Sequence, residues 1–450
     1  MSSISWEGAL WDCIGHLQTL IRMDTVNPPG NEMGLARYLD DVLRGAGIAT
    51  TLLEPTTGRA ALIARIRGSG RAAPLLLLAH MDVVGVERSR WKTNPFGGEI
   101  VDGFLYGRGA IDDKGMLAIN LQTMLLIHRH MVGEGRSLSR DLVMVATSDE
   151  ETGGAFGIEW IMDHRRELLE AEFALNEGGR IRMSNGRAEY AAVQCAEKVP
   201  NILRVIAHGP SGHAAIPLRG NAIARLARAI TAIASHTEPV RLTDVTRRFF
   251  AGLGEIWPDL RQRRAFTDVA SDDPALVVAA ANVIAELPNL DAVVRNGISP
   301  TVVAGGIRAN VIPGEANVTL NVRTLPGESI DRLVDRLRGV VADHDVDVEI
   351  LSRGSDAPPS PMDSPMFRAI EEAITALDND IRTFPYLSTG ATDSAALRRA
   401  GIQAYGLLPL PLTQEDEDRM HGHDERVPIA SLSFGVKLVY DMVQRMTVES

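Results

Sequence analysis

Cysteine, aromatic side chains and long apolar runs are all scarce in this chain. Its two cysteines, Cys13 and Cys195, show no CxxC spacing and lie away from any metal-like cluster, which fits a reducing compartment. No apolar run reaches the ~18 residues that suggest a bilayer span, and the first residues carry early acids where a leader would have a basic segment and an apolar core. The expectation is a cytoplasmic protein with no membrane partner. Positive charge is in deficit: 46 Lys and Arg against 58 Asp and Glu give a formal net charge of −12. That balance disfavours a nucleic-acid or anionic-membrane surface, so no nucleic acid is expected as a partner. Aromatic residues make up 5% of the chain, too few to suggest a stacking platform for a particular substrate. There is no internal repeat and no low-complexity tract.

What is present is the composition of a globular protein long enough for two or three domains, 450 residues with 45% apolar and 23% charged side chains. Trp6 to Ile21 has helical spacing and stops before Asn27-Pro28-Pro29-Gly30, a turn signal. Short apolar runs then alternate with helical stretches. Strands are expected around Thr50 to Leu53, Ala61 to Ile66, Pro74 to Ala79, Leu142 to Ala146 and Glu172 to Leu175, and helices over Lys114 to His130 and Phe156 to Leu169. The run Leu75-Leu76-Leu77-Leu78 is uniformly apolar, the pattern of a strand covered on both faces. Alternation of this kind predicts an α/β fold, a mostly parallel sheet with helices on both faces.

After Lys198 the order changes to strand (Ile202 to Ala207), helix (Asn221 to Ser235), strands (Thr301 to Gly305 and Ala316 to Arg323), helix (Ser329 to Ala342) and strand (Val346 to Leu351). The order β-α-β-β-α-β is that of a ferredoxin-like α+β unit. Residues 240–297 interrupt it with a mainly helical insertion, and Pro358-Pro359-Ser360-Pro361 reads as the return linker. Helix Met366 to Leu377, strand Ala404 to Leu408 and helix Ile429 to Gln444 then resume the first pattern. Residues 1–198 and 355–450 are expected to form one domain, and 199–354 a smaller one inserted in it.

Ligand-type residues follow four of the strands. His80-Met81-Asp82 follows Leu75 to Ala79, and Asp149-Glu150-Glu151 follows Leu142 to Ala146. Glu177 follows Glu172 to Leu175, and the acidic loop ending His421-Gly422-His423-Asp424-Glu425 comes after Ala404 to Leu408. In α/β sheets this end of a strand is where ligand chemistry is built. Two histidines with three or more carboxylates and no thiolate suit a catalytic zinc or similar divalent ion, not a structural zinc knuckle. The Gly107-to-Gly115 segment lacks the GxxxxGKS/T and GxGxxG spacings of phosphate loops. Each residue alone has a bland reading: His80 a core histidine, His421 and His423 solvated, Arg323 a strand arginine, His213 a turn residue. The recurrence of ligand-type residues at four strand ends is what argues for a site.

With these motifs in place the chain resembles the co-catalytic zinc amidohydrolases, which include acetylornithine deacetylase, succinyl-diaminopimelate desuccinylase, aminoacylase and the glutamate and S-type carboxypeptidases. The resemblance runs along nearly the whole chain through His80-x-Asp82, Gly107 to Gly115, Asp149-Glu150-Glu151, Asn176-Glu177-Gly178-Gly179 and His421 to Glu425. Ala196-Glu197-Lys198 and Gly212 to Pro217 lean toward the carboxypeptidase S-like branch. It implies two Zn²⁺ ions, with Co²⁺ or Mn²⁺ as substitutes: Asp112 bridging, His80 and Glu177 on one ion, Glu151 and His421 on the other. His421 is favoured over His423 because the family's ligand stands four residues before a glutamate, here Glu425. It implies that Asp82 orients His80 and that the Asp112–Asp113 peptide is cis.

By the same resemblance, Arg323, Asn310 and the Gly390 N–H bind the substrate's α-carboxylate. His213 reaches the partner's oxyanion across a homodimer formed through the inserted lid domain. Glu150 is expected to act as general base, passing the proton of the attacking water to the leaving amine. The expected activity is hydrolysis of the amide bond of an N-acyl amino acid or the C-terminal bond of a small peptide. A narrower deacylase or desuccinylase is the alternative within the class, and a catalytically silent binding protein the alternative outside it.

Overall fold

The computed structural model describes residues 4–342 and 345–448. The chain divides into two compact units: one runs to Cys195 and resumes over Pro359–Tyr386 and from Thr392, the other comprises Ala196–Pro358 with Leu387–Ala391.

Among the described residues the first unit is organised by a ten-stranded sheet. Four parallel strands form its centre, in the order Leu142–Thr147, Leu75–His80, Phe173–Asn176 and Gln403–Gly406. Every residue of the first three is buried, which is why these runs are apolar without alternation. One face is covered by the helices Trp6–Arg22, Lys114–Ile127, Pro365–Leu377 and Ile429–Thr447, which pack on one another. On the other, Leu76, Leu78, Val143 and Val145 pack with Ile158 and Ile161 of helix Ile158–His164 and Leu397 of helix Ser394–Arg399.

The margins of the sheet are antiparallel. Ala49–Thr56 and Arg59–Ile66 form a hairpin that joins Leu142–Thr147, and on the far side Arg187–Glu197 pairs with Arg180–Ser184. This second hairpin is not among the sequence expectations, although Asn185-Gly186 at its turn carries its signature. Both residues have positive φ, 49° and 77°, the conformation of a two-residue turn matched to the strand twist. The helix expected over Phe156 to Leu169 is shorter, Ile158–His164 with a 3-10 turn at Arg166–Leu168. Phe156 is held outside it because its N–H donates to Asp149 Oδ2 and its carbonyl accepts from Ser148 Oγ. The chain leaves this unit after Cys195 and re-enters it at Pro359, where Ser360 N donates to Cys195 O at 2.8 Å, and a second, short excursion covers Leu387–Ala391.

The second unit has a four-stranded antiparallel sheet in the order Gly297–Gly305, Glu315–Thr324, Val199–His208, Val346–Ser352. Together with the helices Ala222–Ser235 and Ile330–Val341 this is the ferredoxin-like arrangement that the element order implies. Along Glu315–Thr324, Ala316, Val318, Leu320 and Val322 are buried while Asn317, Thr319, Asn321 and Arg323 are half-buried on the other face. The period of two is that of a one-sided strand. The insertion is helical: Asp244–Ile256, Leu260–Asp268, Pro274–Ile284 and Pro288–Val294, with Phe249, Phe250 and Phe266 buried among them. No helix of the described residues is long and apolar enough to cross a membrane.

Burial decides which leucines matter. Leu76 is 0% exposed and Leu260 74%. Leu76→Ala should lower stability by about 2–5 kcal/mol and Leu260→Ala by no more than about 0.5 kcal/mol, measured as shifts of the urea unfolding midpoint.

Candidate metal centre

Parallel pairing aligns strand ends. His80 closes its strand directly opposite Thr147 of the neighbouring one, and Glu177 follows the last residue of Phe173–Asn176. The chain after Thr147 turns sharply: Asp149 takes a left-handed φ of 69°, and Glu150 and Glu151 enter a 3-10 turn. Asp112 arrives from the glycine-rich loop before helix Lys114–Ile127, joined to Asp113 by a cis peptide. His421 comes from the loop between helix Gln414–Glu417 and strand Arg426–Pro428.

The five side chains expected as ligands come together. Asp112 uses its two oxygens separately, with Oδ1 3.0 Å from His80 Nε2 and Oδ2 3.0 Å from His421 Nε2. His421 Nε2 is also 3.4 Å from Glu151 Oε2. His80, Glu150 and Glu177 can bring one ligand atom each within 4.8 Å of one another, and so can His80, Asp112 and Glu151. His421, not His423, makes these approaches.

The electrostatics of this group are those of a cation site. Burial, and then the charge of Glu177, push the Glu150 carboxyl well above the ordinary range. Burial and then Asp112 do the same to Glu177. Burial opposes ionisation of Asp112 too, but hydrogen bonds from His421 and His80 outweigh it and hold its carboxyl low. The same contacts, to Asp112 and then Glu151, push His421 up to about 10. Carboxylates facing these imidazoles favour positive charge at the centre, which a dication would supply more completely. Glu151 Oε1 is buried with no hydrogen-bond partner. Imidazole nitrogens and carboxylate oxygens without a thiolate are the donors that zinc and similar divalent ions take in catalytic sites. The residues fit a dinuclear centre, and the side chain of His421, 55% exposed, leaves it an open flank.

Three supports lie beneath the ligands. Asp82 reaches His80 Nδ1 through its backbone oxygen at 2.9 Å, while its carboxylate stands 3.6 Å away. The Asp82 carboxylate is occupied instead by the N–H groups of Glu150 and Glu151, at 3.2 Å each, and by Asn27 Nδ2 at 2.8 Å. Glu425, fully buried, accepts from the N–H groups of Gly109, Ile111 and Asp112 and from Arg108 Nη1 at 2.7 Å, so it shapes the loop that delivers Asp112. Asp393 accepts from Thr147 Oγ1 at 2.7 Å, and burial pushes its carboxyl up to about 7. Sequence reasoning passed over Asn27, whose neighbours Pro28-Pro29-Gly30 read as a turn, and over Asp393, three residues beyond the Gly390 expected to bind substrate.

The remaining expected residues belong to the second unit. Gly212–His213 pairs with Val311–Ile312, and Ala214 N donates to Asn310 O at 3.1 Å, so His213 and Asn310 are neighbours. His213 is exposed, with Nδ1 accepting from Ala215 N. Arg323 stands near the other end of strand Glu315–Thr324, eight residues or roughly 26 Å from Glu315 at ~3.3 Å per residue. Its Nε donates to Asn321 Oδ1. The Gly390 N–H is engaged by Ser388 Oγ at 3.2 Å.

Comparison with known proteins places this geometry in a family. The model of peptidase family M20/M25/M40 matches residues 76–445. The probable carboxypeptidase S-like 2 of Dictyostelium discoideum is 29% identical, over 82% of this chain and 71% of that protein. The human N-fatty-acyl-amino acid synthase/hydrolase PM20D1 is 28% identical, over 82% and 74%. The M20 family metallo-carboxypeptidase Sso-CP2 from Sulfolobus solfataricus shares the fold, with a TM-score of 0.74 over 97% of this chain and 99% of that one at 19% identity. Matched from its central strand to its last helix and carrying a convergent His and carboxylate centre, the chain belongs to peptidase family M20/M25/M40 and is a metal-dependent hydrolase of amide bonds.

Proposed function

We propose that this chain is a cytoplasmic dizinc hydrolase that releases an amino acid from an N-acyl amino acid or from the C-terminus of a small peptide. The observation that carries the reading is Asp112, whose two oxygens each face a different imidazole with Glu151 and Glu177 beside them. In this reading Asp112 would serve both ions, with His80 and Glu177 holding one and Glu151 and His421 the other. Bound there, the ions supply Lewis acidity toward water and the scissile carbonyl. Glu150, beside the centre but not needed to complete either ligand set, takes the proton of the attacking water and delivers it to the leaving amine. Both relatives named above support this substrate range, one by its carboxypeptidase name and the other by its N-acyl amino acid name. Two buried free cysteines, Cys13 and Cys195, support a reducing cytoplasm.

Arg323 is the anchor for the substrate carboxylate, a task suited to its bidentate fork, and Asn310 and the Gly390 N–H assist it. His213 meets the oxyanion of a partner's substrate in a homodimer. Two observations support the dimer. Arg323 lies roughly 26 Å along its strand from Glu315, the end that leads back to Asn310, which favours a clamp whose two residues come from two chains. The outer strand Gly297–Gly305 is also an open edge, with Val302 and Val303 59% and 65% exposed, of the kind that pairs with a second copy.

Chelation should abolish amide hydrolysis and added Zn²⁺ or Co²⁺ restore it; activity indifferent to chelators contradicts the reading. Glu150→Gln should retain two metal equivalents by elemental analysis yet lower kcat by about 10²–10⁴. Loss of one equivalent in that variant would instead make Glu150 a ligand. Arg323→Ala should raise KM for substrates with a free carboxylate by roughly 10–100-fold, the worth of one charged hydrogen bond, and leave the corresponding amides unaffected. Sedimentation should show a dimer that Val303→Lys shifts toward monomer. A substrate panel of acyl amino acids and dipeptides separates a broad hydrolase from a dedicated deacylase.

A further inference from the structure

Behind the turn that carries Glu150 and Glu151 lies a buried cation with no part in ligation. Arg59, 6% exposed, donates from Nε to Glu32 Oε2 and from Nη2 to Asp149 Oδ1, both at 2.9 Å. Its Nη1 donates to Pro29 O at 3.1 Å and Asn27 Oδ1 at 3.3 Å. Asn27 spends its own amide on Asp82 Oδ2, Asp149 Oδ1 and Thr152 Oγ1. The Asp149 carboxylate thus receives Arg59, Asn27 and Thr152 on one oxygen and the Phe156 N–H on the other. Space for this arrangement is reserved: Gly30 has a φ of 75°, and a Cβ there would stand 2.4 Å from Arg59 Cζ.

Asp149 holds a left-handed conformation that non-glycine residues adopt only when something specific stabilises it. That turn directs the N–H groups of Glu150 and Glu151 onto Asp82. Asp82, Asp149 and Glu32 bring three carboxylates together, and among the described residues the Arg59 guanidinium is the one cation that contacts two of them. We propose that Arg59 is a positioning residue for the hydrolysis: acting through Asp149 and Asn27, it sets the turn that aims Glu151 at its metal and Glu150 at the reacting water. The inference rests on the roles given above to Glu150 and Glu151.

The test uses metal-free full-length protein titrated with Zn²⁺ in a calorimeter, alongside steady-state kinetics and thermal unfolding. Three variants are compared: Arg59→Met, Arg59→Lys, which keeps the charge but loses the fork, and Arg65→Met. The last breaks a comparable ion pair to Asp141, 2.9 Å long, remote in the contact network from the ligands. For both Arg59 variants, one zinc equivalent should bind about 10–100-fold more weakly, the usual effect of removing support behind a ligand. Their kcat should fall, and KM should stay within about threefold. Arg65→Met should lose thermal stability while keeping wild-type zinc affinity. Arg59→Lys that folds, binds both equivalents and turns over like wild type would overturn the proposal. Should Arg59→Met fail to fold, Arg59→Lys decides alone. Wild-type protein that binds no zinc would remove the underlying reading as well, whereas normal wild-type binding with unaltered Arg59 variants removes this inference only.

Discussion

Carboxylates repel one another, and the first unit is built so that several of them meet. Asp112, Glu150, Glu151 and Glu177 converge around two histidines at one rim of a sheet, and burial makes each ionised group costly unless a cation stands nearby. Folding supplies the restraint. Parallel neighbours bring His80, Thr147 and Asn176 to the same rim, so three of the ligand-bearing turns begin there. Folding energy is spent on holding like charges together, and a bound dication returns it as affinity.

The loops that bear the ligands are held by buried charges of their own. Glu425 gathers three main-chain N–H groups of the Gly107-to-Asp112 loop while pairing with Arg108, 2% exposed. Arg59 does comparable work for Asp149 with the sign reversed. In each case one charged side chain satisfies donors or acceptors that a turn would otherwise leave buried and unpaired, which costs more than the pair itself contributes. The loops that carry the proposed ligands are therefore fixed by contacts outside the proposed centre, the kind of support that a preorganised site requires.

The parts legible in the sequence are those governed by periodicity and by abrupt changes of residue type. Uniform apolar runs gave away the central strands, period-two alternation gave away Glu315–Thr324, and His and Glu directly after such runs marked the rim. What stayed hidden depends on distant pairing. Nothing local tells that Asn27, beside two prolines, donates to Asp82 and Asp149 across 55 and 122 residues of chain. Likewise, the His80 ring bonds the backbone oxygen of Asp82 because the carboxylate is taken by Asn27 and the next turn, a competition visible only once the chain is folded. The Arg180-to-Glu197 hairpin is different: its Asn-Gly turn was in plain view, but the strands expected for the first half stopped at Glu172 to Leu175.

The hydrogen bond between Ser360 and Cys195 has a wider consequence. The main segment of the ferredoxin-like module leaves the larger unit after Cys195 and comes back beside it at Pro359, so the two ends of that segment lie close together. Such a junction is a natural graft point. Insertions such as the helices of residues 240–297 can lengthen that segment without separating its two ends.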